Sequence, residues 1–98
     1  MLFALICKDK PGQLDTRMSI RPAHVDYLDG LNDSGHLKFA GPFLDDDGKP
    51  CGSLLVLEAD NREGAKAMAE GDPYAQAGIF DSVEIRPWNW TFNNPETR

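Results

Sequence analysis

The chain has 98 residues, 10 basic against 16 acidic side chains and a formal net charge of −6 at pH 7. Its 41% apolar and 27% charged residues are the mixture of one compact globular unit over 1–98, which excludes wholesale disorder. No apolar run approaches the roughly 18 residues a membrane span needs, and the acidic balance argues against nucleic acid and anionic membrane surfaces as partners.

Leu2–Cys7 (LFALIC) is a near-continuous apolar run broken by Lys8-Asp9-Lys10-Pro11-Gly12, which predicts a buried strand. It is too short for a signal peptide and has no basic residue before it. The two cysteines, Cys7 and Cys51, are too few for a disulfide framework and lack CxxC spacing, so a cytoplasmic protein with two reduced, largely buried thiols is expected. Gln13–Ser19 reads as a polar connection. A helix is predicted from about Ile20 to Ser34, with Pro22 in its first turn and Gly35 ending it. His24, Val25, Leu28 and Leu31 share one face of that helix, while Asp26, Asp29 and Asp33 point away.

His36–Leu44 alternates, with Leu37, Phe39, Gly41 and Phe43 on one face and Lys38 and Ala40 on the other, as in a strand with an irregularity at Gly41-Pro42. Asp45–Pro50 is a turn, and Gly52–Ala59 completes a hairpin. Asp60-Asn61-Arg62-Glu63 has the spacing of a capping box, opening a helix with Ala65, Met68 and Ala69 that ends near Gly71. Asp72-Pro73-Tyr74 opens a turn, and Ile79–Trp88 is the last strand.

The order β-α-β-β-α-β is that of an α+β, ferredoxin-like fold, with a four-stranded antiparallel sheet in the order 4-1-3-2 and two helices on one face. Because Leu2–Cys7 and Leu54–Leu57 are apolar at consecutive positions, the uncovered face is apolar too, and a homodimer packing sheet against sheet would bury it. Trp88, Trp90 and Phe92 alternate along the tail, as anchors for such an interface or as cover for the chain's own core.

This topology gathers residues at one sheet edge: Arg17, Arg21 and His24, then Gly41 and Pro42, then Cys51, Gly52 and Ser53, then Asp72, Pro73 and Tyr74. His24, near a helix N-terminus that disfavours imidazolium, suits a general base. Asp72 at the same edge would fix its tautomer. Arg17 and Arg21 would bind a carboxylate or phenolate oxygen, or pair with Asp72. Ser53 suits a ligand-orienting hydroxyl better than a nucleophile, because no G-x-S-x-G elbow is present. Asp45-Asp46-Asp47-Gly48 lacks the alternating spacing of a calcium loop, and His36 has no partner at metal spacing, so no metal is expected. No nucleotide-binding glycine motif is present either.

Arg21-Pro22-Ala23-His24, Gly35 with Ala40-Gly41-Pro42, Gly52-Ser53, and Asp72-Pro73-Tyr74 with Ala77-Gly78 resemble, in order and spacing, the YciI-like (YCII-related) family from Leu2 to about Trp88. The tail lies outside that pattern. The resemblance implies a dimeric α/β barrel and a suspected enzyme with a His–Asp pair, here His24 and Asp72. It also implies kinship in fold with muconolactone isomerase. One class within the family removes chloride from a chlorohydroxyhydroquinone without a cofactor. The expected function is therefore a cofactor-independent lyase, isomerase or dehydrochlorinase-like enzyme acting on a small oxygenated aromatic or enolisable substrate. In it, His24 moves a proton, Asp72 orients His24, and Arg17, Arg21, Ser53, Tyr74, Gly41 and Pro42 hold the substrate. The alternative is a small-ligand-binding or accessory homodimer in which the His24–Asp72 pair is structural.

Overall fold

The computed structural model of the chain describes residues 1–97. Its elements are β1 (Leu2–Asp9), α1 (Leu14–Asp33), β2 (Leu37–Leu44), β3 (Pro50–Glu58), α2 (Arg62–Gly71), the one-turn α3 (Pro73–Gln76), β4 (Phe80–Trp88) and a 3-10 turn at Pro95–Thr97. The strands form one antiparallel sheet in the order β2-β3-β1-β4, the ferredoxin-like arrangement expected from the sequence. No helix among the described residues is long and apolar enough to cross a membrane.

Register explains how both faces of the central strands are used. Phe3, Leu5 and Cys7 on β1 stand opposite Leu57, Leu55 and Ser53 on β3. Phe3, Leu5, Cys7, Leu55 and Leu57 form the core with Ala59 and Ala65, and Leu28 and Leu31 of α1 and Met68 and Ala69 of α2 pack against it. Both long helices therefore cover the same sheet face. The pleat sends the intervening Ala4, Ile6, Leu54 and Val56 to the opposite face.

α1 differs most from expectation. It begins at Leu14, so Arg17 and Ser19 are helical rather than in a connection, and Pro22 lies inside the helix instead of in its first turn. Its start has no side-chain cap, and its buried residues are Arg17 and His24. The end is as predicted. Gly35 takes φ 82°, and the N–H groups of Gly35 and His36 donate to the carbonyls of Asn32 and Leu31, the paired bonds of a Schellman ending.

Three local expectations also shift. The N-cap of α2 is Asn61 rather than Asp60, its Oδ1 accepting from the Gly64 N–H at 2.9 Å. A bulge between Leu37 and Phe39 lets Leu37 pair with Leu57 and pack against the core, while Phe39 pairs with Val56 on the other face. Cys7 is buried, as expected, but Cys51 is exposed, and Cys7 pairs with Ser53. The tail turns back on its own chain. Trp88 and Trp90 meet Phe39 edge-on at 5.7 and 5.1 Å between centroids, and Glu96 accepts from Lys38 at 2.8 Å. Phe92 remains exposed.

Candidate functional site

The buried stripe of α1 carries polar side chains where a helix ordinarily carries aliphatics. Seven residues separate Arg17 from His24, two helical turns, so both point at the same end of β1 and β3. There they border a cavity of about 350 Å³ that is also lined by Arg21, Gly41, Pro42, Ser53 and Tyr74. The sequence-derived group thus comes together, with Met18, Val25, Leu28 and Leu55 as apolar walls.

Asp72 stands behind His24, buried, its Oδ1 2.8 Å from His24 Nδ1. The same oxygen accepts from the Tyr74 N–H at 2.9 Å, making Asp72 the N-cap of α3. Since a carboxylate accepts, Nδ1 carries the proton, and neutral His24 keeps its lone pair on Nε2. Nε2 has no hydrogen-bond partner among the described residues. Because His24 is midway along α1, the helix-end field invoked from the sequence does not reach it; the carboxylate in contact with it is that of Asp72. The imidazole also stacks on Tyr74, 3.8 Å between centroids and 12° between planes, which restrains ring rotation.

The arginines do not pair with Asp72. Arg17 is buried and gripped by Asp9, Nε to Oδ2 at 2.8 Å and Nη2 to Oδ1 at 3.2 Å. Nη2 also donates to Ser53 Oγ at 2.7 Å, and the guanidinium carbon lies 4.5 Å from the Tyr74 ring centroid. Burial works against this charge, but Asp9 and Tyr74 outweigh it and hold the Arg17 pKa above its ordinary value. Arg21 is exposed and pairs with no carboxylate among the described residues, so it is the free cation of the cavity. Burial raises the Tyr74 phenol pKa, against the pull of Arg17 and Arg21, so Tyr74 is neutral. Burial, aided by the Asp72 charge, pushes the Cys7 thiol up to about 12, which removes it as a nucleophile.

Asp9 was missed by the sequence reading, although the alternation Phe3, Leu5, Cys7 carries it to the helix face, where a carboxylate needs a cation. Cys51, grouped with the site from the sequence, instead borders a neighbouring hollow of about 270 Å³ with Lys10, Asp45 and Lys49. Among the described residues, no three or more His, Cys, Asp or Glu side chains are arranged to hold a metal ion. The set as built can hold an oxygenated ligand and exchange a proton with it at Nε2.

Comparisons with known proteins agree with this architecture. A YCII-related domain matches residues 1–89. Protein YciI of Escherichia coli O6:H1 is 37% identical over 98 aligned residues, covering 94% of this chain and all of the relative. Among solved structures, the 5-chloro-2-hydroxyhydroquinone dehydrochlorinase of Burkholderia phenoliruptrix AC1100, in complex with 2,5-dihydroxybenzoquinone, superposes with a TM-score of 0.84 at 32% identity, over 96% of this chain and 99% of that one. A NIPSNAP domain protein from Burkholderia xenovorans, at 15% identity and a TM-score of 0.50 over 97% of this chain and 99% of that one, shares the fold alone. On the domain match and the similarity to YciI, the chain belongs to the YCII-related family.

Proposed function

We propose that the protein is an acid–base enzyme acting on a small oxygenated ring or enolisable acid, with His24 as the proton-transferring group. The observation that carries this reading is the aim of His24: Nδ1 fixed by Asp72, the ring clamped on Tyr74, and Nε2 left free at the cavity. Nε2 takes a proton from an acidic hydroxyl or carbon, and the electron pair released moves into the ring or enol system. That pair then expels a leaving group as an anion, an elimination, or is reprotonated at another carbon, an isomerisation. Neither outcome transfers electrons to an external acceptor, so the reaction as written calls for no cofactor. Asp72 steadies the imidazolium, and Arg21, Ser53, Tyr74 and the Gly41-Pro42 backbone hold the substrate oxygens.

The structural neighbour, a dehydrochlorinase solved with a dihydroxybenzoquinone, supports the substrate class of polyhydroxylated rings. We further infer a homodimer through the sheet face that the helices leave open.

His24→Ala should lower turnover of a chlorinated hydroxyhydroquinone by about 10²–10⁴-fold, the usual contribution of general acid–base help. Steady-state kinetics measures this, with circular dichroism as the fold control. A folded His24→Ala variant with unchanged turnover removes the catalytic assignment and leaves a ligand-binding protein.

A further inference from the structure

The hydrogen-bond inventory of Ser53 is unusually restrictive. Its Oγ is buried, and the one bond it makes among the described residues comes from Arg17 Nη2 at 2.7 Å. A guanidinium can only donate, so Ser53 Oγ must accept. Its own proton is then directed elsewhere, and Ser53 lines the cavity that holds His24.

Accepting from a cation also makes the Ser53 hydroxyl a stronger donor, since charge-assisted bonds polarise the group that receives them. The guanidinium is in turn aimed by Asp9, whose two oxygens take Nε and Nη2 and leave Nη2 pointing at Oγ. Asp9 and Arg17 side chains are 6% and 5% exposed, so the pair is shielded from solvent, where such a bond keeps its strength. Asp9 does not itself border the His24 cavity.

We propose that Asp9 is a positioning residue which, through Arg17, turns the Ser53 hydroxyl into a polarised donor for a ligand oxygen that becomes negative when its proton leaves. This rests on the acid–base reading and deepens it: the substrate oxygen held at Ser53 is one that carries charge in the reaction. It also explains why a serine beside a His–Asp pair is not a nucleophile. One of its lone pairs is engaged by Arg17, and no base among the described residues accepts its proton.

The test uses 4-nitrocatechol, an oxygenated ring whose visible spectrum reports its ionisation, titrated from pH 5 to 9 on the folded protein. Bound to the wild type, it should ionise about one pH unit or more below its free value, a tenfold preference for the anion. Ser53→Ala should abolish most of that shift, and Ser53→Thr should retain it. Asp9→Asn should reduce it similarly in the wild-type background, yet change nothing further in Ser53→Ala, because its effect passes through that hydroxyl. Asp9→Glu should recover part of it.

The same titration in His24→Ala separates the two readings. A shift donated by Ser53 persists there, whereas one caused by proton uptake at His24 vanishes. Absence of 4-nitrocatechol binding, an equal shift in Ser53→Ala, or a full Asp9→Asn effect in the Ser53→Ala background each overturns the proposal. If Asp9→Asn does not fold, Asp9→Glu decides it, by a partial loss of the shift in the wild-type background and none in Ser53→Ala.

Discussion

Asp72 Oδ1 serves two partners, the imidazole of His24 and the first free N–H of α3. Asparagine at this position keeps an accepting oxygen but loses the charge, while alanine loses both bonds. Asp72→Asn should therefore stay within about 1 kcal/mol of wild-type stability while turnover falls at least tenfold, whereas Asp72→Ala should lose about 1–3 kcal/mol in urea unfolding. Equal stability losses in the two variants would show that charge, not geometry, holds α3. Cys7 supplies a pH prediction. Its folded pKa is pushed up to about 12 from 9.0, so the unfolded thiol gives up its proton first as pH rises. The unfolded state then binds fewer protons, and the contribution to stability is complete below pH 9 and declines from there toward 12. The phenols of half-buried Tyr27 and buried Tyr74 shift in the same direction. Urea midpoints should fall between pH 9 and 11, and less steeply in Cys7→Val.

At the scale of the element, β3 has no room for a side chain at Gly52, opposite Lys8 of β1. A Cβ built there would lie 2.5 Å from the Cys7 carbonyl oxygen and 3.3 Å from Phe43, and backbone on one side cannot give way. Gly52→Ala should cost about 1–3 kcal/mol and lower the melting temperature by several degrees in calorimetry. It should also move the adjacent Ser53. Strands, their order and the second long helix were legible because apolar side chains recur in each at strand or helix spacing. The first half of α1 was not, and the reason is physical. Its inward positions are spent on Arg17 and His24, so the segment reads as polar, and Pro22 then looks like a beginning. The membership of the site was legible from topology, since the fold brings those junctions to one edge. The grip of Asp9 on Arg17 was not, because an acid eight residues upstream on a strand leaves no local spacing signal. The α2 cap moved by one residue because Asn61 and Asp60 are both competent acceptors and only the backbone path chooses between them.

For the molecule as a whole, the open sheet face is the surface on which the proposed dimer rests. Phe43, 41% exposed, pairs with Gly52 on that face, which also carries Leu54 and Ile6, away from the patch that Phe39, Trp88 and Trp90 occupy. Sedimentation equilibrium at about 10 µM should return twice the chain mass, and Phe43→Glu should shift it toward one chain mass while leaving the melting curve of the monomer little changed. A wild type at one chain mass would remove the dimer.

The two outer strands each contain a proline, Pro42 in β2 and Pro87 in β4. Proline has no N–H to offer a passing strand, and its fixed φ resists the flat geometry on which ribbons stack. Both prolines therefore disfavour the addition of a further strand at the two rims. Pro42, which walls the cavity from β2, thus also interrupts the rim along which a further strand would add.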